Sequence, residues 1–253
     1  MKNILVIAQN TLKETIRDRI LYGIMAFAVV FLMFTVFLGS ISLGEDLAVI
    51  RNLGLAGIYF FGMVVTIFLG ASLMYKEFEK RTLYFILSKP VRHRDVIWGK
   101  FLGLVSSVTL TTILMAVVYL AVVAAKGGGV DAVVLEAIAL QIAEMGLFVA
   151  LTIFFSTIAA PLASTLYAIL VLYIGHSLSL LTSAVKTKPV IVQKIVLVIY
   201  YLFPNLEKFN IRNSVIYGIR IPWPELFLSL AYAIVYIILL LLAATAIFKE
   251  REL

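Results

Sequence analysis

Residues 20–43 run for 24 positions without a charged side chain, 53–75 for 23, 101–125 for 25 and 226–248 for 23. Two further runs are almost as clean. Residues 132–158 are apolar except for Glu136, Gln141 and Glu144, and 162–181 carry His176 as their one ionisable group. An apolar stretch beyond about 18 residues is long enough to cross the hydrocarbon core as a helix. A helix is required because lipid offers nothing to unpaired backbone groups. Six runs predict six spanning helices. Composition closes the alternatives: 63% of the residues are hydrophobic and 14% are charged, whereas a soluble domain is about half apolar and a quarter charged. A water-soluble fold and a disordered chain are both excluded. One membrane domain over 1–253 leaves no room for a soluble catalytic domain.

The net charge of +7 would point to nucleic acid in a soluble protein. Here the basic residues orient the spans and meet anionic lipid, and no nucleic-acid partner is expected. With the N-terminus inside, thirteen Lys and Arg fall on the inner side and eight on the outer. That places both termini in the cytosol of a multi-pass cell-membrane protein. Six of the outer eight lie between Lys186 and Arg220, which runs against the rule. The first run is too long for a signal-peptide core, lacks a cleavage pattern and reads as a retained span. Without cysteine there is no disulfide, thiol chemistry or thiolate metal site. His93 and His176 are too few for a metal centre.

Two segments outside the spans carry pattern. In 1–19, Ile4, Ala8, Leu12 and Ile16 form an i, i+4 stripe, with Lys13, Glu14 and Arg17 elsewhere. This predicts an amphipathic helix along the inner leaflet. The run 190–203 is too short to span and contains Gln193 and Lys194. Followed by the Pro204-Asn205 turn, it predicts a re-entrant or interfacial segment over 190–223.

The loop 76–95 is dense in charge. Phe78, Leu83, Ile86 and Leu87 can share one helical face, with Glu77, Lys80 and Arg81 on the other. Pro90 ends that helix, because the residue before a proline avoids the helical region. A short helix joined stiffly to two spans suits the reception of force from a cytosolic partner. On these residues alone, a solvated loop that sets topology fits equally well.

The run Glu77-Phe-Glu-Lys-Arg-Thr82, then Leu-Ser-Lys-Pro90-Val91, then Gly99-Lys100-Phe-Leu-Gly103 resembles the cytosolic signature of type-2 ABC exporter permeases. The nearest branch is similar to permeases linked to multi-copper oxidase maturation. The layout resembles that family along the whole chain, and the run Tyr201–Asn210 is similar to its late re-entrant part. The resemblance implies a cytosolic coupling helix that docks on a separate ATP-binding subunit. Glu77, Lys80, Arg81 and Thr82 would lie on or near it, Pro90 would close it, and Arg92, His93 and Arg94 would follow. The family often has a basic residue three after the proline; His93 stands there. Gly99 and Lys100 would start span three. Gly99 and Gly103 also have the small-xxx-small spacing of close helix contacts, although lipid-facing glycines fit as well. The resemblance further implies a dimer with a second permease copy or homologue. ATP and Mg would be held by the partner, and this chain would bind no cofactor.

No G-x-x-x-x-G-K-[ST] phosphate loop occurs, and no nucleophile elbow or H-E-x-x-H. This chain is therefore not expected to be an enzyme by itself. Gln141 and Glu144 share a helix face, i and i+3. A carboxylate at membrane depth costs about 2.5–3.5 kcal/mol on insertion scales and marks a candidate site. Gln141, Glu144 and His176 could line a translocation path, and Glu144 could instead partner the re-entrant segment or simply fix packing. The leading reading is the permease of an ATP-driven exporter. The alternatives are a mechanotransmitting subunit that moves a partner without carrying substrate, and a self-sufficient secondary transporter. The last would want inverted repeats and broken helices at the midplane.

Overall fold

The computed structural model describes residues 2–42, 45–80, 92–129 and 131–250. Every regular element among the described residues is helical. Helix α1 covers Lys2–Ile16. The long helices are α2 (Arg19–Ile41), α3 (Asp46–Lys80), α4 (His93–Ala125), α5 (Ala132–Ser156) and α6 (Pro161–Ala184). Then come α7 (Val190–Leu202), a 3-10 turn (Leu206–Phe209), α8 (Arg212–Ile216) and α9 (Trp223–Glu250). Six of these are long and apolar enough to cross a membrane.

Helix starts follow local chemistry. The Asp18 carboxylate accepts from Ile20 N at 3.1 Å and caps α2. Pro161 opens α6, where a missing N–H costs nothing. Gly127, with φ of 77°, turns the chain after α4, a conformation that glycine adopts without penalty.

Side-chain contacts set the topology. Arg51 near the start of α3 pairs with Asp131 before α5 at 2.8 Å and donates to Gly129 O at 3.3 Å. The α2–α3 and α4–α5 connections therefore share one end of the bundle. At the other end, the His93 ring meets the Phe248 ring of α9 at 5.7 Å. Helix α1 lies along the first turns of α4, Ile4 and Ile7 against Gly99 and Ala8 and Thr11 against Gly103. The two glycines are thus the groove for α1 and not a lipid face. Both described chain ends stand at this end, with the close of α3 and the start of α4.

The 190–216 segment enters the bundle and turns back toward the end from which it came. Helix α7 starts from the Arg51–Asp131 end, where α6 finishes. Val215 of α8 packs back among Ile50, Leu55, Val133 and Val134 at that same end. Between them, Leu206 and Phe209 reach the deeper cluster of Leu147, Phe148 and Leu151. The two arms meet at 55°.

Helix α5 is the centre of the bundle: 72% of its span is buried, against 11% for α9. The outer faces of α2, α6 and α9 are apolar and exposed, as lipid contact requires. Hydroxyls inside α4 bond their own helix: Ser106 to Leu102 O, Ser107 to Gly103 O, Thr111 and Thr112 to Val108 O. Thr112 also reaches Met145 Sδ across to α5.

Candidate functional site

Polar side chains from three spans and the re-entrant segment converge beside the middle of α5. Glu144 is almost fully buried. Its Oε1 accepts from Tyr59 Oη of α3 at 2.8 Å and lies 2.7 Å from His176 Nε2 of α6. Tyr59 Oη and His176 Nε2 are themselves 2.8 Å apart. Two potential donors thus crowd one carboxylate oxygen. On its far side the imidazole presents Nδ1 to Glu207 Oε2 at 3.5 Å, an ion-pair separation more than a tight hydrogen bond.

The re-entrant segment is shaped to deliver Glu207. Pro204 breaks the helix, and the Asn205 carboxamide oxygen accepts from Glu207 N at 3.2 Å, capping the 3-10 turn. The Asn205 backbone N–H donates to Tyr232 Oη of α9 at 2.9 Å. Asn210 Nδ2 donates to Glu207 Oε1 at 3.1 Å, and Arg212 Nε donates to Asn210 Oδ1 at 3.2 Å. The Arg212 guanidinium stands 5.9 Å from the Tyr59 ring centroid. Gly175 makes the approach possible. A Cβ there would fall 2.7 Å from Pro204 O and from Leu206 Cγ, distances no side chain tolerates.

Gln141 lies one turn from Glu144. Its Nε2 donates to Leu55 O at 3.2 Å, while its buried Oε1 has no protein partner. Gln141 borders a cavity of about 10 Å³ shared with Tyr59, Glu144, His176 and Arg212, the size of one water molecule. Among the described residues, no three His, Cys, Asp or Glu are grouped to hold a metal ion.

Gln141, Glu144 and His176, separated in sequence, therefore meet at one node. Glu144 itself touches Tyr59 and His176; it is His176 that faces the 3-10 turn, through Glu207. Sequence reasoning missed Tyr59, Glu207, Asn210 and Arg212. Tyr59 sits in an uncharged run where tyrosine reads as apolar. The other three follow a helix-breaking proline, and three polar groups within six residues (Glu207, Asn210, Arg212) were the available signal. The same contacts ease the charge anomaly of this loop. Arg212 is drawn into the node, and Lys208 Nζ sits 4.5 Å over the Tyr232 ring.

The second group of expected residues lies at the α1 end. Glu77 and Lys80 fall in the last turns of α3, which runs without a break to Lys80. Arg81, Thr82 and Pro90 lie outside the described residues. Arg92 is the exposed N-cap residue of α4. His93 opens the helix, so span three begins its helix well before Gly99 and Lys100. Arg94 is exposed, its Nε 3.7 Å from Asp95 Oδ1.

A family model of ABC-2 family transporter proteins matches residues 5–253, nearly the whole chain. The chain belongs to the ABC-2 transporter family. A search of curated proteins finds no match. As an ABC-2 membrane protein it is the permease component of an ABC transporter, a multi-pass transport subunit distinct from the ATPase.

Proposed function

We propose that this ABC-2 permease works in an ATP-driven exporter and takes its energy from a separate ATP-binding subunit docked on residues 76–95. Two permeases, identical or homologous, form the path between them. ATP and Mg belong to the partner, and both termini face the cytosol of a cell membrane. Within the family, the branch resembling permeases of multi-copper oxidase maturation fits the quoted motifs.

One observation carries the coupling. Helix α3 is unbroken over 35 residues, about 52 Å at 1.5 Å per residue, against a hydrocarbon core of about 30 Å. Helix α4 has 33 residues. Both outrun the bilayer at the end that also holds α1 and the close of α9. The loops and ends that the sequence assigns to the inner side carry thirteen of the 21 Lys and Arg, which supports a cytosolic placement. A push on the 81–91 connection is then delivered along α3 directly to Tyr59, and along α4 to the groove that seats α1.

The test is co-purification. The wild-type chain should retain an ABC ATPase encoded beside it, and Glu77→Lys with Arg81→Glu should lose it while the permease still inserts. Retention of the ATPase by the double variant would refute the docking assignment.

Mechanotransmission is the second reading: the node cavity of about 10 Å³ holds no more than a water molecule, so the node suits the passing on of movement better than the binding of a solute. ATP-dependent accumulation of a solute in inverted vesicles separates the two.

A further inference from the structure

We propose that Glu144 and His176 form a proton-binding site, and that its proton ties the re-entrant segment to the bundle. The inference stands on geometry at the node and does not depend on how ATP is coupled.

Consider what His176 must do. Nε2 faces Glu144 Oε1 at 2.7 Å, and Nδ1 faces Glu207 Oε2 at 3.5 Å. A neutral imidazole carries one N–H. Placed on Nε2, the hydrogen serves Glu144 and leaves the Nδ1 lone pair against the Glu207 carboxylate. Placed on Nδ1, it serves Glu207 and leaves a lone pair against Glu144. Only the imidazolium donates both ways. One proton thus decides whether α5 and the 3-10 turn are joined through α6.

The surrounding charges agree with a bound proton. The ring faces Tyr59 from α3, Glu144 from α5 and Glu207 from the re-entrant turn; Arg212 adjoins through Asn210. Tyr200 of α7 reaches Asn205 instead of the ring. With the proton present, two carboxylates and two cations cancel. Without it, one negative charge is left inside the bundle, where uncompensated charge is expensive.

Exchange has a route. Gln141, more than nine-tenths buried, lines the cavity, and its Oε1 has no protein partner. A single water there can donate to Gln141 and accept from Arg212. The Arg212 guanidinium disfavours a metal cation in the same space. Loss of the proton leaves a single N–H, which the closer Glu144 oxygen, 2.7 Å against 3.5 Å, holds on Nε2; the bridge to Glu207 is then lost and the segment is free to move on its two connections.

The chain has no native cysteine, so a reporter pair is clean. Leu135→Cys in α5 and Leu202→Cys in α7, both at exposed positions, would carry spin labels in the chain in lipid nanodiscs. Distances would be recorded between about pH 5 and 8, the range in which imidazoles titrate. One narrow distance is expected at the acid end, with loss of that component toward the alkaline end. His176→Gln and Glu207→Gln should each abolish the pH dependence. An unchanging distribution in the chain with native His176 and Glu207 would overturn the proposal by itself. Persistence of the transition in His176→Gln would do the same. Should His176→Gln fail to fold, the native-node series and Glu207→Gln still decide.

Discussion

Thr11 of α1 rests on Gly103 of α4 so closely that a methyl group on the glycine would lie 2.5 Å from Thr11 Cβ and 2.7 Å from Ala8 O. The second of these is backbone and cannot rotate away. One turn earlier, Gly99 meets Ile7 Cβ at 2.7 Å and Ile4 O at 3.0 Å by the same construction. The two contacts advance together along both helices, so α1 and α4 run in the same direction. Thr15 continues that face, buried and bonded to Thr11 O at 2.8 Å. Leu5 and Val6 remain exposed and available to lipid.

Gly103→Val should therefore lift α1 from α4. Overpacking of a close contact costs about 1–3 kcal/mol, and the measured thermal transition in detergent should fall accordingly. Gly23→Ala in α2 is the control. Nothing lies within 4 Å of the added carbon, and alanine improves helix propensity by about 1 kcal/mol. Equal destabilisation by the two substitutions would disprove the groove.

Glu144 separates two kinds of replacement. In Glu144→Gln the amide oxygen can still accept from Tyr59, and the node survives with reduced strength. In Glu144→Leu both Tyr59 and His176 lose their acceptor. Interhelical hydrogen bonds in membranes contribute about 0.6 kcal/mol on average and about 1–2 kcal/mol in model peptides. Glu144→Leu should then cost about 2 kcal/mol and Glu144→Gln less than half of that, read as unfolding free energy in mixed micelles. If Leu equals or exceeds the native residue in stability, the node is no support for the fold.

Much of this architecture was legible because charge is so costly in lipid. The six runs stand out since an uncharged stretch of that length has few other uses. Gln141, Glu144 and His176 stand out as polar exceptions within those runs. Their meeting point did not follow from the sequence, because it depends on Gly175 admitting the Pro204–Leu206 turn. Gly99 and Gly103 showed their spacing but not their partner. The length of α3 was hidden for another reason. Hydropathy ends near Tyr75, while Lys and Glu beyond it are good helix formers and carry the helix on to Lys80.

That continuity leads to a test of force transmission. If α3 works as a rod from the 81–91 connection to Tyr59, a break between them should uncouple the two without undocking the partner. Met74→Pro places the break in the last third of the helix. An interior proline removes one backbone hydrogen bond, clashes with the preceding turn and costs about 3 kcal/mol or more. The docking residues beyond it are unchanged. The expected result is normal co-purification of the ATPase, ATP hydrolysis that continues, and export that falls at least tenfold. Export at the native rate per ATP hydrolysed would show that the stroke does not travel through α3.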